Sequence, residues 1–242
     1  MTPYYEKSGI TIYNTDCLPA MKEMPDNAFD LAIVDPPYGI GADVVQNKIS
    51  STNRISNGGK WKTYKKTNWD NKIPSLEYFK ELFRVAKAQI IWGGNYFPLP
   101  PCCKWIVWNK IQRNYMTDGE MAWTSLQGQV SIFDMSRADA YINHCDIKIH
   151  PTQKPVALYK WLLTNYAKPG QTILDTHGGS GSIAIACYDL ELELTAYEID
   201  KEYIEAATNR IKGHIRQGNL FIMESKEKQR AHPEKEKKGF FE

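Results

Sequence analysis

The chain has 242 residues, 42% of them hydrophobic and 24% charged. That balance suits a folded protein with one large α/β domain or two small ones. The formal net charge of +2 does not by itself mark a nucleic-acid binder, and no apolar run approaches the length of a membrane span.

In chain order, Met1 to Gly9 is polar and lacks the apolar core of a signal peptide, so the expected compartment is the cytoplasm. Gly9 to Asn14 alternates and is β-branched, the pattern of a strand running out towards Asp16. Leu18 to Met24 predicts a short helix stopped by Pro25. The apolar run Phe29 to Val34 predicts a buried strand of a parallel sheet, followed by Asp35-Pro36-Pro37-Tyr38-Gly39.

Residues 41–74 change character. Lys48, Arg54, Lys60, Lys62, Lys65, Lys66 and Lys72 stand against two acids, with Trp61, Tyr64 and Trp69 interleaved. The expectation is a mobile basic loop beside a site, with cations for phosphates and rings for stacking. Ser75 to Lys87 predicts an amphipathic helix with Leu76, Phe79, Leu82, Phe83 and Ala86 inward. Strands are expected at Gln89–Trp92 and Lys104–Trp108. Within the weaker 109–148 stretch they are expected near Met121–Thr124 and Val130–Phe133.

Val156 to Ala167 reads as a helix with Val156, Tyr159, Leu162, Leu163 and Tyr166 inward. Thr172–Leu174 delivers Asp175 into a turn that runs Thr176-His177-Gly178-Gly179-Ser180-Gly181-Ser182. The helix Ile183–Leu190 is apolar nearly all round and therefore buried. A strand at Leu194–Tyr197 ends on Glu198, and Asp200 can cap a helix from Lys201 to about Lys212. Past Ser225 a mixed charge run with Pro233 predicts a disordered tail. Five cysteines (Cys17, Cys102, Cys103, Cys145, Cys187) form no C-x-x-C pair, so reduced thiols and no metal site are expected.

Two half-sites carry chemistry. At Asp35-Pro36-Pro37-Tyr38, a carboxylate ends a strand before two prolines of fixed φ. The Asp35 carboxylate and Pro36 carbonyl could each accept one hydrogen of an exocyclic amine on a nucleobase. They would hold the nitrogen as its lone pair localises to take a methyl group. Tyr38 could stack on the base once it has left the duplex. As a bare strand-ending turn the motif would be common. The second half-site, Asp175 with its glycine turn and Glu198 at the next strand end, suits a ligand carrying a ribose diol. It lacks full G-x-G-x-x-G spacing, which argues against NAD.

Three segments in this order resemble the amino-group DNA methyltransferases, in the permuted β arrangement: Asp35-Pro36-Pro37-Tyr38, then His150-Pro151-Thr152-Gln153-Lys154-Pro155, then Asp175 to Ser182 with Glu198. The resemblance implies an S-adenosylmethionine-dependent methyltransferase fold, Rossmann-like, with a mostly parallel doubly wound sheet and circularly permuted motif order. It implies one domain over 1–224, with 109–148 as a small target-recognition insertion and 225–242 as the tail. Asp35, Pro36, Pro37 and Tyr38 would be catalytic. Asp16, Cys17, Asp35, His150, Thr152 and Lys154 would bind S-adenosylmethionine, joined by Asp175, His177, Gly178, Gly179, Ser180, Gly181, Glu198 and Ile199. Lys48, Arg54, Lys60, Lys62, Lys65 and Lys66 would meet DNA. Asp16 is equally placed to cap the first helix.

The resemblance further implies methylation of adenine N6 in DNA, with cytosine N4 as the alternative and an inactive nucleic-acid-binding partner of the same fold as the rival. It points to a prokaryotic or phage setting, allows a homodimer, and leaves a restriction endonuclease partner open. One departure stands out: Asp175-Thr176-His177 occupies the place where the family usually has Asp-Pro-Phe, a change that could loosen the loop.

Overall fold

The computed structural model describes residues 1–41, 70–111, 117–136, 138–140, 149–150 and 152–231. Nine strands form one sheet: β1 (Tyr5–Lys7), β2 (Ile10–Tyr13), β3 (Phe29–Val34), β4 (Ala86–Trp92), β5 (Trp105–Asn109), β6 (Gly119–Thr124), β7 (Ser131–Asp134), β8 (Thr172–Asp175) and β9 (Glu193–Tyr197). Their spatial order is β1-β2-β9-β8-β3-β4-β6-β5-β7. The central run β2-β9-β8-β3-β4 is parallel throughout, as expected for a doubly wound sheet. Antiparallel pairs attach β1 at one edge and β6 on the other side.

Five helices are described: α1 (Cys17–Glu23), α2 (Leu76–Val85), α3 (Val156–Tyr166), α4 (Ser182–Asp189) and α5 (Lys201–Ala231). The sheet's period of two sorts its apolar residues between them. Leu31, Ile33, Ile90, Trp92 and Ile173 pack in one layer with α3, α4 and α5. Ala32, Val34, Ile91 and Leu174 pack in the other with α1 and α2. The result is three layers with a core on each face of the sheet. Among the described residues no helix is long and apolar enough to cross a membrane.

Several expectations are corrected in detail. β1 was not foreseen; it pairs with β2 through a two-residue turn at Ser8 and Gly9, both at positive φ, a hairpin geometry that matches strand twist. The α2 core face is Tyr78, Phe79, Leu82 and Val85, whereas Leu76 is 71% exposed. Ala86, expected on that face, is the first residue of β4, and the buried Tyr78 places its hydroxyl 2.6 Å from the Thr176 hydroxyl. Residues 119–124 and 131–134, close to the strands expected near Met121–Thr124 and Val130–Phe133, join the same sheet as the central strands. Helix α5 continues past Lys212 to Ala231, into the stretch expected as tail. Gly213 and Gly218 weaken a helix by about 1 kcal/mol each without breaking it.

The end of β4 prepares the site. Gly93 takes φ +68°. A Cβ there would lie 2.2 Å from the Tyr38 ring, so only glycine lets that ring seat against the backbone. Gly93→Ala should therefore lower the unfolding free energy by about 1–3 kcal/mol from backbone strain alone, and by more because Tyr38 must move. Denaturant unfolding with wild-type stability in this variant would contradict the account.

Candidate active site

Four neighbouring parallel strands deliver acids to one edge of the sheet. β2 leads to Asp16, β9 to Glu198, β8 ends on Asp175, and β3 leads to Asp35. Between β8 and β3 the connections diverge, β8 returning through α4 to β9 and β3 through α2 to β4. Open α/β sheets leave a crevice at such a switch point. A cavity of about 520 Å³ lies here, lined by Asp16, Cys17, Asp35, Pro37, His150, Thr152, Lys154, His177, Gly178, Gly179, Ser180, Glu198 and Ile199 among others. Most residues singled out in the sequence are thus brought together. Pro36, Tyr38, Asp175 and Gly181 stand outside this lining. Lys48, Arg54, Lys60, Lys62, Lys65 and Lys66 lie outside the described residues, as does Pro151.

On the glycine side, the Gly178 N–H donates to the Tyr197 carbonyl at 2.7 Å and pins the loop to the end of β9. Glu198 accepts the Gly179 N–H at one carboxylate oxygen and the Asp200 N–H at the other, each at 2.8 Å. Asp16 caps α1 by accepting the Leu18 N–H at 2.9 Å and also faces the cavity, so its two candidate roles coexist. Gly181, at φ +70°, lets α5 pass closely: a Cβ there would lie 3.1 Å from Ile211.

The Thr176-His177 departure does not leave the loop slack. The Thr176 hydroxyl bridges Tyr78 and the His177 Nδ1, at 2.6 and 2.9 Å. The His177 ring stands edge-on to Tyr78, with centroids 5.5 Å apart. Burial lowers His177 to about 4, so at neutral pH it is an uncharged ring. Asp175 accepts the His177 N–H at 3.0 Å. Burial, with Asp35 and Glu198 nearby, pushes Asp175 up to about 7 against that hydrogen bond. Burial also raises Glu198. Burial and the adjacent Asp16 push the Cys17 thiol up to about 12, which leaves no thiolate nucleophile there.

The Asp-Pro-Pro-Tyr side holds the larger surprise. Asp70 accepts the Tyr38 N–H at 2.6 Å and the Gly39 N–H at 2.9 Å through one carboxylate oxygen. Its carbonyl accepts the Gly41 N–H at 3.1 Å, so the two ends of the basic segment meet at the turn. The Tyr38 ring stacks on Tyr96, centroids 5.1 Å apart, and its hydroxyl donates to Asp35 at 2.6 Å. The Lys154 ammonium lies 2.5 Å from the other Asp35 oxygen and 3.1 Å from Glu120, which in turn pairs with Lys110 at 2.5 Å. Lys154, expected at the cofactor, both lines the cavity and serves as counter-ion of Asp35.

Sequence reasoning missed Asp70, Glu120 and Lys110. Asp70 sits inside a segment read only for its cations, and Glu120 and Lys110 within a stretch of weak pattern. Gln153 was passed over although it lies in the His-Pro-Thr-Gln-Lys-Pro run. Its side-chain oxygen accepts the Ile149 N–H at 2.9 Å and the His150 N–H at 3.4 Å, which closes that turn. Beside it the His150 ring packs against Tyr203, centroids 4.3 Å apart.

Known proteins are similar to this chain in sequence and in fold. A DNA methylase family model of the N6/N4 kind matches residues 103–209. The chain is 24% identical over 235 residues to the type II methyltransferase M.HpaI of Haemophilus parainfluenzae, covering 81% of this chain and 72% of that protein. It is also 24% identical over 255 residues to the type II methyltransferase M2.MboI of Moraxella bovis, covering 86% and 90%. Among solved structures, the M1.HpyAVI–SAM complex superposes with a TM-score of 0.53 at 19% identity, over 83% of this chain and 99% of that one. The cytosine-N4-specific PvuII DNA methyltransferase superposes with a TM-score of 0.54 at 13% identity, over 89% and 94%. At such identities the superpositions establish a common fold, that of the DNA methyltransferases. Residues 103–209 thus match the N6/N4 DNA methylase model, and over most of its length the chain is similar to type II DNA methyltransferases.

Proposed function

We propose that the protein transfers a methyl group from S-adenosylmethionine to the exocyclic amine of an extruded DNA base, with adenine N6 as the target. One observation carries the reading: a cavity lined by the carboxyl groups of Asp16, Asp35, Glu198 and Asp200 opens onto Asp35-Pro36-Pro37-Tyr38. A crowd of carboxylates with a single lysine favours a cationic ligand and disfavours the pyrophosphate of a dinucleotide. The residues fit S-adenosylmethionine, a sulfonium whose methyl group is electrophilic when it is bound. Glu198 would hold the ribose hydroxyls, Asp16 and Ile199 the adenine, and His150 to Lys154 the methionine end. Gly178 to Gly181 would form the floor with Asp175 beneath.

Asp35 and the Pro36 carbonyl accept the two amine hydrogens of the target base and orient its nitrogen towards the cavity. Asp35 need not be a strong base, because the amine becomes acidic only as the new bond forms. Tyr38 gives up the Asp35 hydrogen bond and its stack on Tyr96, and stacks on the base instead. An aspartate at the head of the motif favours adenine over cytosine. The basic segment from Lys48 to Lys66 meets the phosphates. Residues 1–224 act as a single methyltransferase domain in the cytoplasm of a prokaryotic or phage system, with DNA as partner.

Asp35→Ala should cut methyl transfer on the order of a hundredfold or more while S-adenosylmethionine still binds; near-normal turnover would refute the role. Mass analysis of nucleosides from DNA treated with the enzyme should show N6-methyladenine, and N4-methylcytosine in its place would reassign the base. A third expectation follows from Asp175. A bound cation favours its ionised form and so lowers its pKa from about 7, and binding then releases protons. Affinity for S-adenosylmethionine should rise with pH through about 7, and Asp175→Asn should flatten the rise. Calorimetry in buffers of different ionisation enthalpy checks this, and no proton release near pH 7 would contradict it.

A further inference from the structure

Glu120 projects from β6, a strand that reaches the site only because it pairs antiparallel with β4. Its carboxylate stands between two ammonium groups, Lys110 at 2.5 Å and Lys154 at 3.1 Å. Lys154 continues the row to Asp35 at 2.5 Å and to the Tyr38 hydroxyl at 3.1 Å. Lys110 and Lys154 are both buried. Two cations and two anions thus alternate in a row that ends on the turn carrying Asp35.

Burying such a row is costly, and a lone Lys154–Asp35 pair would have needed fewer charges withdrawn from water. A lone pair would also have a defect. A full ammonium held on Asp35 alone would neutralise the carboxylate that must accept a hydrogen from the target amine. With Glu120 present, two carboxylates share that ammonium.

We infer that Glu120 is a positioning residue for the proposed methyl transfer: it draws the Lys154 ammonium partly off Asp35 and leaves Asp35 a stronger acceptor for the amine. The inference rests on the reading of Asp35 as that acceptor. The charged and titratable groups facing Asp35 are Tyr38 from its own turn, Lys154 from the segment before α3, and Glu120 from β6. Asp175 from β8 and Tyr78 from α2 act at longer range. Burial raises Asp35, Lys154 lowers it and Glu120 raises it again. Burial would raise Glu120 too, yet Lys154 and Lys110 hold it at about 2, so it remains an anion wherever the enzyme works.

The test is a pair of opposite shifts. Glu120→Gln removes a negative charge beside Asp35 and releases Lys154 to it. Asp35 should then titrate at lower pH, the acid limb of kcat/KM should follow, and plateau kcat should fall roughly tenfold. Lys154→Gln should move the limb to higher pH, and the double variant, with its charges balanced again, should lie between the two. Lys110→Met leaves Glu120 with Lys154 alone and should move Asp35 upward. S-adenosylmethionine binding by calorimetry should stay within about threefold of wild type for Glu120→Gln, since Glu120 does not line the cavity.

Carbon-13 NMR titration of aspartate carboxyls reads Asp35 directly, without DNA or turnover, and so separates the two readings. A wild-type enzyme that methylates no DNA sinks the proposed function. An Asp35 titration that is unmoved or raised in Glu120→Gln overturns the present inference. If Glu120→Gln does not fold, an unmoved Asp35 in Lys110→Met overturns it equally.

Discussion

The Lys154 ammonium, 2.5 Å from Asp35 and 3.1 Å from Glu120, is the contact on which the site depends. It binds together three parts of the chain: the turn after β3, the strand β6, and the run that opens α3. The rings of Trp92 and Tyr38 also face it, at 5.1 and 5.7 Å. Breaking a buried pair by removing one partner costs about 3–5 kcal/mol, because the other charge is left unpaired. The same contact therefore fixes local structure and the electrostatic state of Asp35.

The rest of the crevice obeys the same constraint with the opposite balance. Asp16, Asp175 and Glu198 crowd at the ends of β2, β8 and β9, and burial raises the latter two carboxyls. The hydrogen bonds of Asp175 and Glu198 go to backbone N–H groups of the glycine loop and its surroundings, which organise the loop before any ligand arrives. A site of this sign is poised for a cation. That bias follows from parallel strands all ending on one side of the sheet.

The Asp175-Thr176-His177 sequence shows how a fold absorbs a departure from a family's usual residues. A neutral, buried imidazole supplies a ring, and the threonine hydroxyl supplies a tether to Tyr78 where a proline would have supplied stiffness. Stiffness by hydrogen bonding replaces stiffness by covalent restriction. The Asp70 carboxylate does comparable work across the crevice, holding the N–H groups of Tyr38 and Gly39.

Local chemistry made much of this legible without coordinates. Apolar runs such as Phe29–Val34 and the largely apolar α4 declare buried elements, since period and composition act over a few residues. Asp35-Pro36-Pro37-Tyr38 and the glycine turn state their geometry in their own covalent restrictions. Glu120, Lys110 and Asp70 carry no such local mark. Each matters only through a partner at least 31 residues away in the chain or through a strand pairing, and solvent-facing and buried charges look alike in sequence. The order of strands decided which acids share one crevice, and tertiary packing decided that Lys154 turns to Asp35. The physical reason is that desolvation and charge pairing depend on what surrounds a side chain in space, which a one-dimensional pattern does not contain.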